Sequence, residues 1–224
     1  SRQLGQLKYM AKVLVVGGGG REHAIVDALS RSSKVTKIYC APGNAGIGLQ
    51  AENVAIKDTD VDGLLAFAKS NGIDLTVVGP EAALAVGIVD AFRGAGLKIF
   101  GHTKAATRIE SSKEFAKELM FKYDIPTSGY RSFTDYAEAL GYVKGRPFPA
   151  VLKYDGLAAG KGVVIAATLE EADAALKDML LDCSFGQGKV VVEDFLTGPE
   201  FSFMCFVDGS RVYPMPLAQD HKRA

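Results

Sequence analysis

The chain has 224 residues, 48% of them apolar, which is enough to bury the core of one large domain or two modest ones. Lys plus Arg and Asp plus Glu each number 26, so a net charge of zero gives no overall field that favours nucleic acid or an anionic membrane. No apolar stretch could span a membrane and the three cysteines lack metal-ligand spacing, so we expect a cytoplasmic protein.

The first part of the chain alternates strand and helix patterns. Residues 1–9 lack the features of a signal peptide and are expected to form a tail ahead of Met10. Within residues 10–108, strands are predicted at 12–16, 37–40, 74–78 and 97–100, and helices at 21–31, 60–70 and 84–93. This alternation is typical of an α/β domain with a doubly wound parallel sheet.

Three of these strands are followed by loops with turn-forming residues, at 17–20, 41–46 and 79–81. Because the carboxyl ends of parallel strands meet at one edge, we expect the loops to line one ligand site. The glycine turn before Arg21 suits a single phosphate at a helix N-terminus. It does not fit the dinucleotide pattern G-x-G-x-x-G, since Glu22 and His23 stand where the third glycine belongs, which disfavours an NAD-dependent oxidoreductase.

A second unit begins near residue 103, and its first predicted helix starts after Ser111. Ser111 to Glu114 match the capping box, with Ser111 as the N-cap and Glu114 at the third helical position. The predicted buried face of this helix consists of Phe115, Leu119, Met120 and Tyr123. Lys113 then lies in the first turn, where free backbone amides favour an anion; a solvated lysine is the alternative.

From residue 148 onward the pattern is α+β, with an antiparallel or mixed sheet. Strands are predicted at 150–154, 163–167, 190–194, 200–207 and 212–215, and a helix at 169–181. Lys153 lies on the first of these strands, directly before a glycine-rich turn that holds Gly156, Gly160, Lys161 and Gly162. Backbone amides freed by glycine, with ammonium groups beside them, can surround phosphate oxygens. The spacing does not match a P-loop, and the turn leads into a strand rather than a helix.

Five stretches form a pattern in chain order. They are residues 12–24 with Gly-Gly-Arg-Glu-His, 41–46, 78–82 with Gly-Pro-Glu, 155–162, and 219–223 with Gln-Asp-His-Lys-Arg. Together they resemble the glycinamide ribonucleotide synthetase family of ATP-grasp ligases. That family joins glycine to 5-phosphoribosylamine through glycyl phosphate, giving glycinamide ribonucleotide, ADP and phosphate in purine biosynthesis.

The resemblance implies that this chain is the N-terminal portion of such a ligase. It implies a substrate-side domain at 10–108, the start of the ATP-grasp region with a linker at 109–149, a small lobe with a flap at 150–192, and an incomplete large lobe at 193–224. ATP and Mg²⁺ or Mn²⁺ are the implied cofactors, and the metal ligands are expected beyond residue 224. The fragment alone is expected to be inactive.

The resemblance also implies roles for individual residues. Lys153 and Arg223 are the expected catalytic residues. The expected ATP-binding residues are Lys113, Lys153, Gly156, Gly160, Lys161, Gly162, Glu193, Asp194, Phe195, Leu196, Glu200 and Arg223. The expected substrate-binding residues are Gly19, Gly20, Arg21, Glu22, Asn44, Glu81 and Asp220. A core position for Phe195 is an open alternative.

Two other classes of protein remain possible at this point. One is another ATP-grasp carboxylate–amine ligase or carboxylase, and the other is a nucleotide-binding fragment without catalysis.

Overall fold

A computed structural model describes residues 10–158 and 161–219. Its first unit is a five-stranded parallel sheet with the strand order β3-β2-β1-β4-β5. The strands are β1 (Ala11–Gly17), β2 (Val35–Pro42), β3 (Glu52–Asn53), β4 (Leu75–Val78) and β5 (Ile99–Phe100). The helices are α1 (Gly20–Ser30), α2 (Val61–Asn71), α3 (Glu81–Ala85) and α4 (Ile88–Gly94), with a 3₁₀ turn at Ile47–Leu49.

Strand β1 is central because it is apolar on both faces. Leu14 and Val16 belong to the core on one side of the sheet, together with Phe92 of α4. Val13 and Val15 belong to the core on the other side. A strand buried on both faces needs helices on both sides, which is the doubly wound arrangement that the sequence predicts.

Two details of this unit differ from the prediction. The predicted helix at 84–93 is two helices, α3 and α4, because Gly87 between them has a φ of +94° that interrupts helical geometry. The two-residue strand β3 was not predicted, because so short a strand shows no periodicity.

Two consecutive helices follow, α5 (Lys104–Ser111) and α6 (Lys113–Lys122). The predicted N-cap at Ser111 is wrong. Ser111 ends α5, and the extended Ser112 caps α6 by accepting a hydrogen bond from the Phe115 amide at 3.1 Å. Tyr123 was predicted to be buried but is 61% exposed, whereas Lys117 is buried.

The next unit is a four-stranded antiparallel sheet with the order β6-β9-β7-β8. Its strands are β6 (Tyr130–Phe133), β7 (Ala150–Tyr154), β8 (Val163–Ala166) and β9 (Val190–Asp194), and its helices are α7 (Tyr136–Lys144) and α8 (Leu169–Leu180). Leu152, Val192 and Leu176 share the core between sheet and helices. Strand β6 and helix α7 were not predicted.

A hairpin of β10 (Cys205–Asp208) and β11 (Arg211–Pro214) completes the described fold. The strand predicted at 200–207 is therefore shorter and begins later. The ring of Phe206 lies 5.8 Å from the ring of Phe100, so the hairpin contacts the edge strand β5. Among the described helices, none has the length and apolar character needed to cross a membrane.

Candidate active site

The loops after β1, β2 and β4 meet at one edge of the parallel sheet, as the sequence predicts. The amide of Gly43 donates to the carbonyl of Gly17 at 3.1 Å. Asn44 donates through Nδ2 to the carbonyl of Gly18 at 2.9 Å, and its Oδ1 accepts from the amide of Ile47 at 2.9 Å. The Asn44 side chain therefore fixes the loop geometry on which any ligand here would depend.

Glu22 lies beneath these loops rather than on their surface. It is 4% exposed, and its Oε2 accepts from the amide of Gly19, the N-cap residue of α1, at 2.6 Å. A Cβ placed on Gly79 would lie 1.9 Å from Glu22 Oε1, so the loop after β4 packs directly against this carboxylate. Glu22 supports the loops, and Gly20 begins α1 beside it.

Arg21 and Glu81 face each other across the loop edge. Arg21 Nη1 lies 3.0 Å from Glu81 Oε1, and the Arg21 side chain is 69% exposed. The hydrogen bond and the charge of Arg21 hold the pKa of Glu81 below its ordinary value. Both residues line a cavity of about 520 Å³ that also contacts Lys113 and, from the glycine-rich turn, Gly156 and Gly162.

Glu110 also lines this cavity, and sequence reasoning missed it. It lies near the end of α5, a helix that the sequence did not predict, and it belongs to no motif. The hydrogen bond and charge of Glu81 raise the pKa of Arg21, and the charges of Glu22 and Glu110 add smaller contributions in the same direction. No sequence signal identified Glu110.

A second cavity, of about 280 Å³, lies between α6 and the antiparallel sheet. Its apolar walls include Ile109, Met120 and Leu196. Its polar lining includes Lys113, Lys117, Lys153 and Glu193. The ammonium groups of Lys113 and Lys153 beside apolar walls fit a ligand that has both a polyphosphate and a flat apolar base, so these residues fit a nucleotide.

Lys153 and Lys117 both contact the carboxylate of Glu193. Lys153 Nζ lies 2.9 Å from Glu193 Oε1, and Lys117 Nζ lies 3.1 Å from Oε2. Ser128 donates to the same Oε2 at 2.9 Å. Burial favours a higher pKa for Glu193. The hydrogen bond and charge of Lys153, together with hydrogen bonds from Ser128 and Lys117, outweigh burial and hold this pKa below its ordinary value. Glu193 is therefore an ionised carboxylate in the wall of the cavity.

Lys113 lines both cavities, which makes it the residue that joins them. Its Nζ donates to the carbonyl of Gly156 at 3.0 Å. Burial lowers the pKa of Lys113, the charge of Asp155 opposes this effect, and the charge of Lys153 adds to it. An anion between the two lysines would relieve their repulsion.

The amides of the first turn of α6 are occupied, contrary to the sequence prediction that they are free for an anionic ligand. Asp155 Oδ1 accepts from the amides of Lys113 at 2.5 Å and Glu114 at 3.2 Å, and Asp155 Oδ2 accepts from the Ser112 hydroxyl at 3.2 Å. The residue that begins the glycine-rich turn thus caps α6. A phosphate here would be met by side chains rather than by this helix N-terminus.

Contact with the Tyr154 side chain requires glycine at position 156 of the glycine-rich turn. A Cβ on Gly156 would lie 2.7 Å from the Tyr154 ring, and one on Gly188 would also lie 2.7 Å from this side chain. Lys161 is exposed, and its amide donates to the carbonyl of Ala158 at 2.9 Å. Gly160 lies outside the described residues, as do Asp220 and Arg223.

The predicted ATP-binding residues Asp194, Phe195 and Glu200 line neither of the two cavities. Asp194 forms an ion pair with Arg146, which the sequence did not identify. Phe195 is 39% exposed, so the alternative of a core position is wrong. Glu200 is exposed, before the isolated bridge between Ser202 and Ala218. Within the described ranges, no group of three or more His, Cys, Asp or Glu residues is placed to hold a metal ion.

Two family profiles together match residues 11–224 of this chain. The profile described as "Phosphoribosylglycinamide synthetase, N domain" matches residues 11–110, and "Phosphoribosylglycinamide synthetase, ATP-grasp (A) domain" matches residues 111–224. The chain belongs to the phosphoribosylglycinamide synthetase family. In the terms of this family, the parallel sheet belongs to the N domain and the antiparallel sheet to the ATP-grasp domain, which confirms the predicted fold class.

Individual members of the family agree with this assignment. A phosphoribosylamine–glycine ligase of Listeria innocua is 57% identical over 215 residues, which are 95% of this chain and 51% of the relative. The crystal structure of phosphoribosylamine–glycine ligase from Thermotoga maritima has a TM-score of 0.77 at 30% identity, over 95% of this chain and 51% of that one. The N5-carboxyaminoimidazole ribonucleotide synthetase of T. maritima, at 20% identity and a TM-score of 0.68 over 93% of this chain and 53% of that one, shares the fold. The chain thus spans about half the length of these proteins.

Proposed function

We propose that the chain carries the nucleotide site and the ribonucleotide-side site of an ATP-dependent ligase, which joins glycine to 5-phosphoribosylamine. The products are glycinamide ribonucleotide, ADP and phosphate. The observation that carries this proposal is that Lys113 lines two cavities at once, one below the strand-end loops and one beside Lys153 and Glu193. Such an arrangement suits transfer of a phosphoryl group from one ligand to another.

The chemistry requires activation of a carboxylate. Phosphorylation of the glycine carboxylate gives glycyl phosphate, whose phosphate is a good leaving group, and the amine of phosphoribosylamine then displaces it. Positioning and charge neutralisation supply most of the catalysis in phosphoryl transfer, so no nucleophilic side chain is needed. We assign Lys153 and Lys113 to the nucleotide phosphates, and we expect Arg223 to add a third cation.

The remaining residues hold the ligands in place. We assign Arg21, Glu81 and the backbone of Gly19 and Gly20 to phosphoribosylamine, and Leu196 to the base of the nucleotide. A bound Mg²⁺ or Mn²⁺ ion would supply further neutralisation of phosphate charge. We assign no ligand of this ion among residues 10–158 and 161–219. Since the substrates are small metabolites, we expect the ligase to work in the cytoplasm.

The ligase assignment is tested by omitting one substrate at a time. ADP release from the full-length protein with ATP and magnesium is expected to require both glycine and phosphoribosylamine. The measurement is a coupled ADP assay with glycine, phosphoribosylamine or neither left out. Equal ADP release without glycine would refute the assignment, and ATP binding with no turnover under any condition would favour a binding protein.

The loop edge is tested by Arg21→Ala. The apparent KM for phosphoribosylamine is expected to rise about tenfold or more, because the substrate phosphate loses a charge-assisted hydrogen bond, while the KM for ATP changes little. Steady-state kinetics with each substrate varied will measure both constants. Arg93→Ala is the matched control, since Arg93 is an exposed arginine in the last turn of α4. A change confined to the ATP constants would contradict the assignment of the two sites.

A further inference from the structure

Lys117 is a buried lysine to which the proposed chemistry gives no role. It is 4% exposed, and its Nζ donates to Thr127 Oγ1 at 2.8 Å, to the Ser128 carbonyl at 3.0 Å and to Ser128 Oγ at 2.6 Å. The fourth neighbour of Nζ is Glu193 Oε2, at 3.1 Å. Its ammonium group is thus surrounded by protein acceptors, and a buried charge of this kind is costly unless it is paired.

Glu193 connects Lys117 to the candidate nucleotide cavity. One carboxylate oxygen contacts Lys117, and the other contacts Lys153, whose side chain is 29% exposed at the cavity. Two ammonium groups and one carboxylate leave the three side chains with a net charge of +1. Because the side chains of Lys117 and Glu193 are both buried, the exposed end of this group is Lys153.

We infer that Lys117 is a positioning residue for Lys153. Lys117 neutralises part of the negative charge of Glu193, so that Glu193 does not fully neutralise Lys153 and the nucleotide phosphates meet a positive charge. This inference rests on the nucleotide site of the proposed function. Without Lys117, the Glu193 carboxylate would pair with Lys153 alone, and the net charge of the group would fall from +1 to 0. The phosphates would then meet a neutral ion pair instead of a cation.

Removal of both buried charges separates this role from a structural one. In the double variant Lys117→Met with Glu193→Gln, the group again has a net charge of +1, which Lys153 alone carries. The glutamine side-chain oxygen can still accept the hydrogen bond of Lys153. Charge sharing therefore predicts that the double variant recovers the ATP affinity that Lys117→Met loses. If Lys117 only holds α6 against β9, the second substitution removes more contacts and the affinity does not recover.

The experiment measures the dissociation constant of ATP in the full-length protein by isothermal titration calorimetry, at constant ionic strength and without glycine or phosphoribosylamine. Lys117→Met is expected to weaken binding roughly tenfold or more, the scale of one charge-assisted hydrogen bond. The double variant is expected to recover most of this loss, because substitutions of two residues in contact are not additive. Lys189→Met is the matched control, since Lys189 is partly exposed and pairs with Glu114 of α6, the helix that also carries Lys117. Circular dichroism will establish which variants fold.

Several outcomes decide the matter. Unchanged affinity in a folded Lys117→Met variant would overturn the inference, as would a double variant as weak as the single one. If Lys117→Met does not fold, the double variant alone decides: affinity near that of the wild type supports charge sharing, and a tenfold loss refutes it. A wild type that does not bind ATP would overturn the inference together with the nucleotide site. ATP binding without glycine-dependent turnover would refute only the ligase assignment.

Discussion

Replacement of Lys153 by alanine is expected to lower kcat/KM for ATP by about ten- to hundredfold in the full-length enzyme. A hydrogen bond to a charged group contributes about 1.5–3 kcal/mol, and each 1.4 kcal/mol is a factor of ten. Lys153 lies on β7 and lines the candidate nucleotide cavity, so phosphates bound there as proposed would lose this contact directly. Steady-state kinetics with ATP as the varied substrate will measure the effect.

Folding is expected to survive this substitution, because Glu193 keeps Lys117 and Ser128 as partners. The matched control is Lys177→Ala, which removes an exposed lysine of α8 that pairs with Asp173 one helical turn away. The control is expected to leave the ATP constants unchanged. A folded Lys153→Ala enzyme with normal constants for ATP would show that Lys153 does not contact the phosphates.

Replacement of Gly79 by alanine is expected to lower the free energy of unfolding by about 3 kcal/mol, at the upper end of the usual cost of overpacking. The new Cβ would lie 1.9 Å from Oε1, 2.5 Å from Cδ and 2.6 Å from Cγ of Glu22. Glu22 is buried, and its other oxygen is held by the Gly19 amide, so it cannot move away without opening the loop after β1. Urea unfolding followed by circular dichroism will measure the change.

Gly94→Ala is the matched control, because a Cβ at the end of α4 meets no atom within 4 Å. Alanine is a better helix former than glycine, so this control is expected to be neutral or slightly stabilising. Equal unfolding midpoints for the two variants would show that Glu22 does not fix the packing of the loops. Comparison of Gly79→Ala with Gly94→Ala also tests whether the loops after β1 and β4 depend on the Glu22 carboxylate for their shape.

The sequence predicted those parts of the fold that carry strong periodicity. The apolar run of β1 indicated a strand buried on both faces, and the structure has it. Segments with weak patterns were missed, among them β6 and α7. The cap of α6 was placed one residue early, because two adjacent serines both fit a cap and only the backbone conformation decides between them.

The sequence singled out glycines and lysines within motifs as candidate site residues, but it missed residues whose position depends on tertiary contacts. Lys117 lies outside the quoted motifs, and a lysine in a helix is expected on the solvent side. Its burial depends on Glu193 and Ser128, which are distant in sequence and come together only through the antiparallel sheet. Glu22 was expected at the ligand surface, but the close approach of Gly79 places it underneath.

The capping of α6 by Asp155 also joins the two backbone segments that carry the lysines of the candidate nucleotide cavity. Three hydrogen bonds tie the Asp155 carboxylate to Ser112, Lys113 and Glu114 at the start of α6. Asp155 directly follows β7, and its own amide donates to the carbonyl of Lys189 at 2.8 Å. The backbones of Lys113 and Lys153 are therefore connected through one carboxylate, so the fold rather than a bound ligand sets the spacing between them.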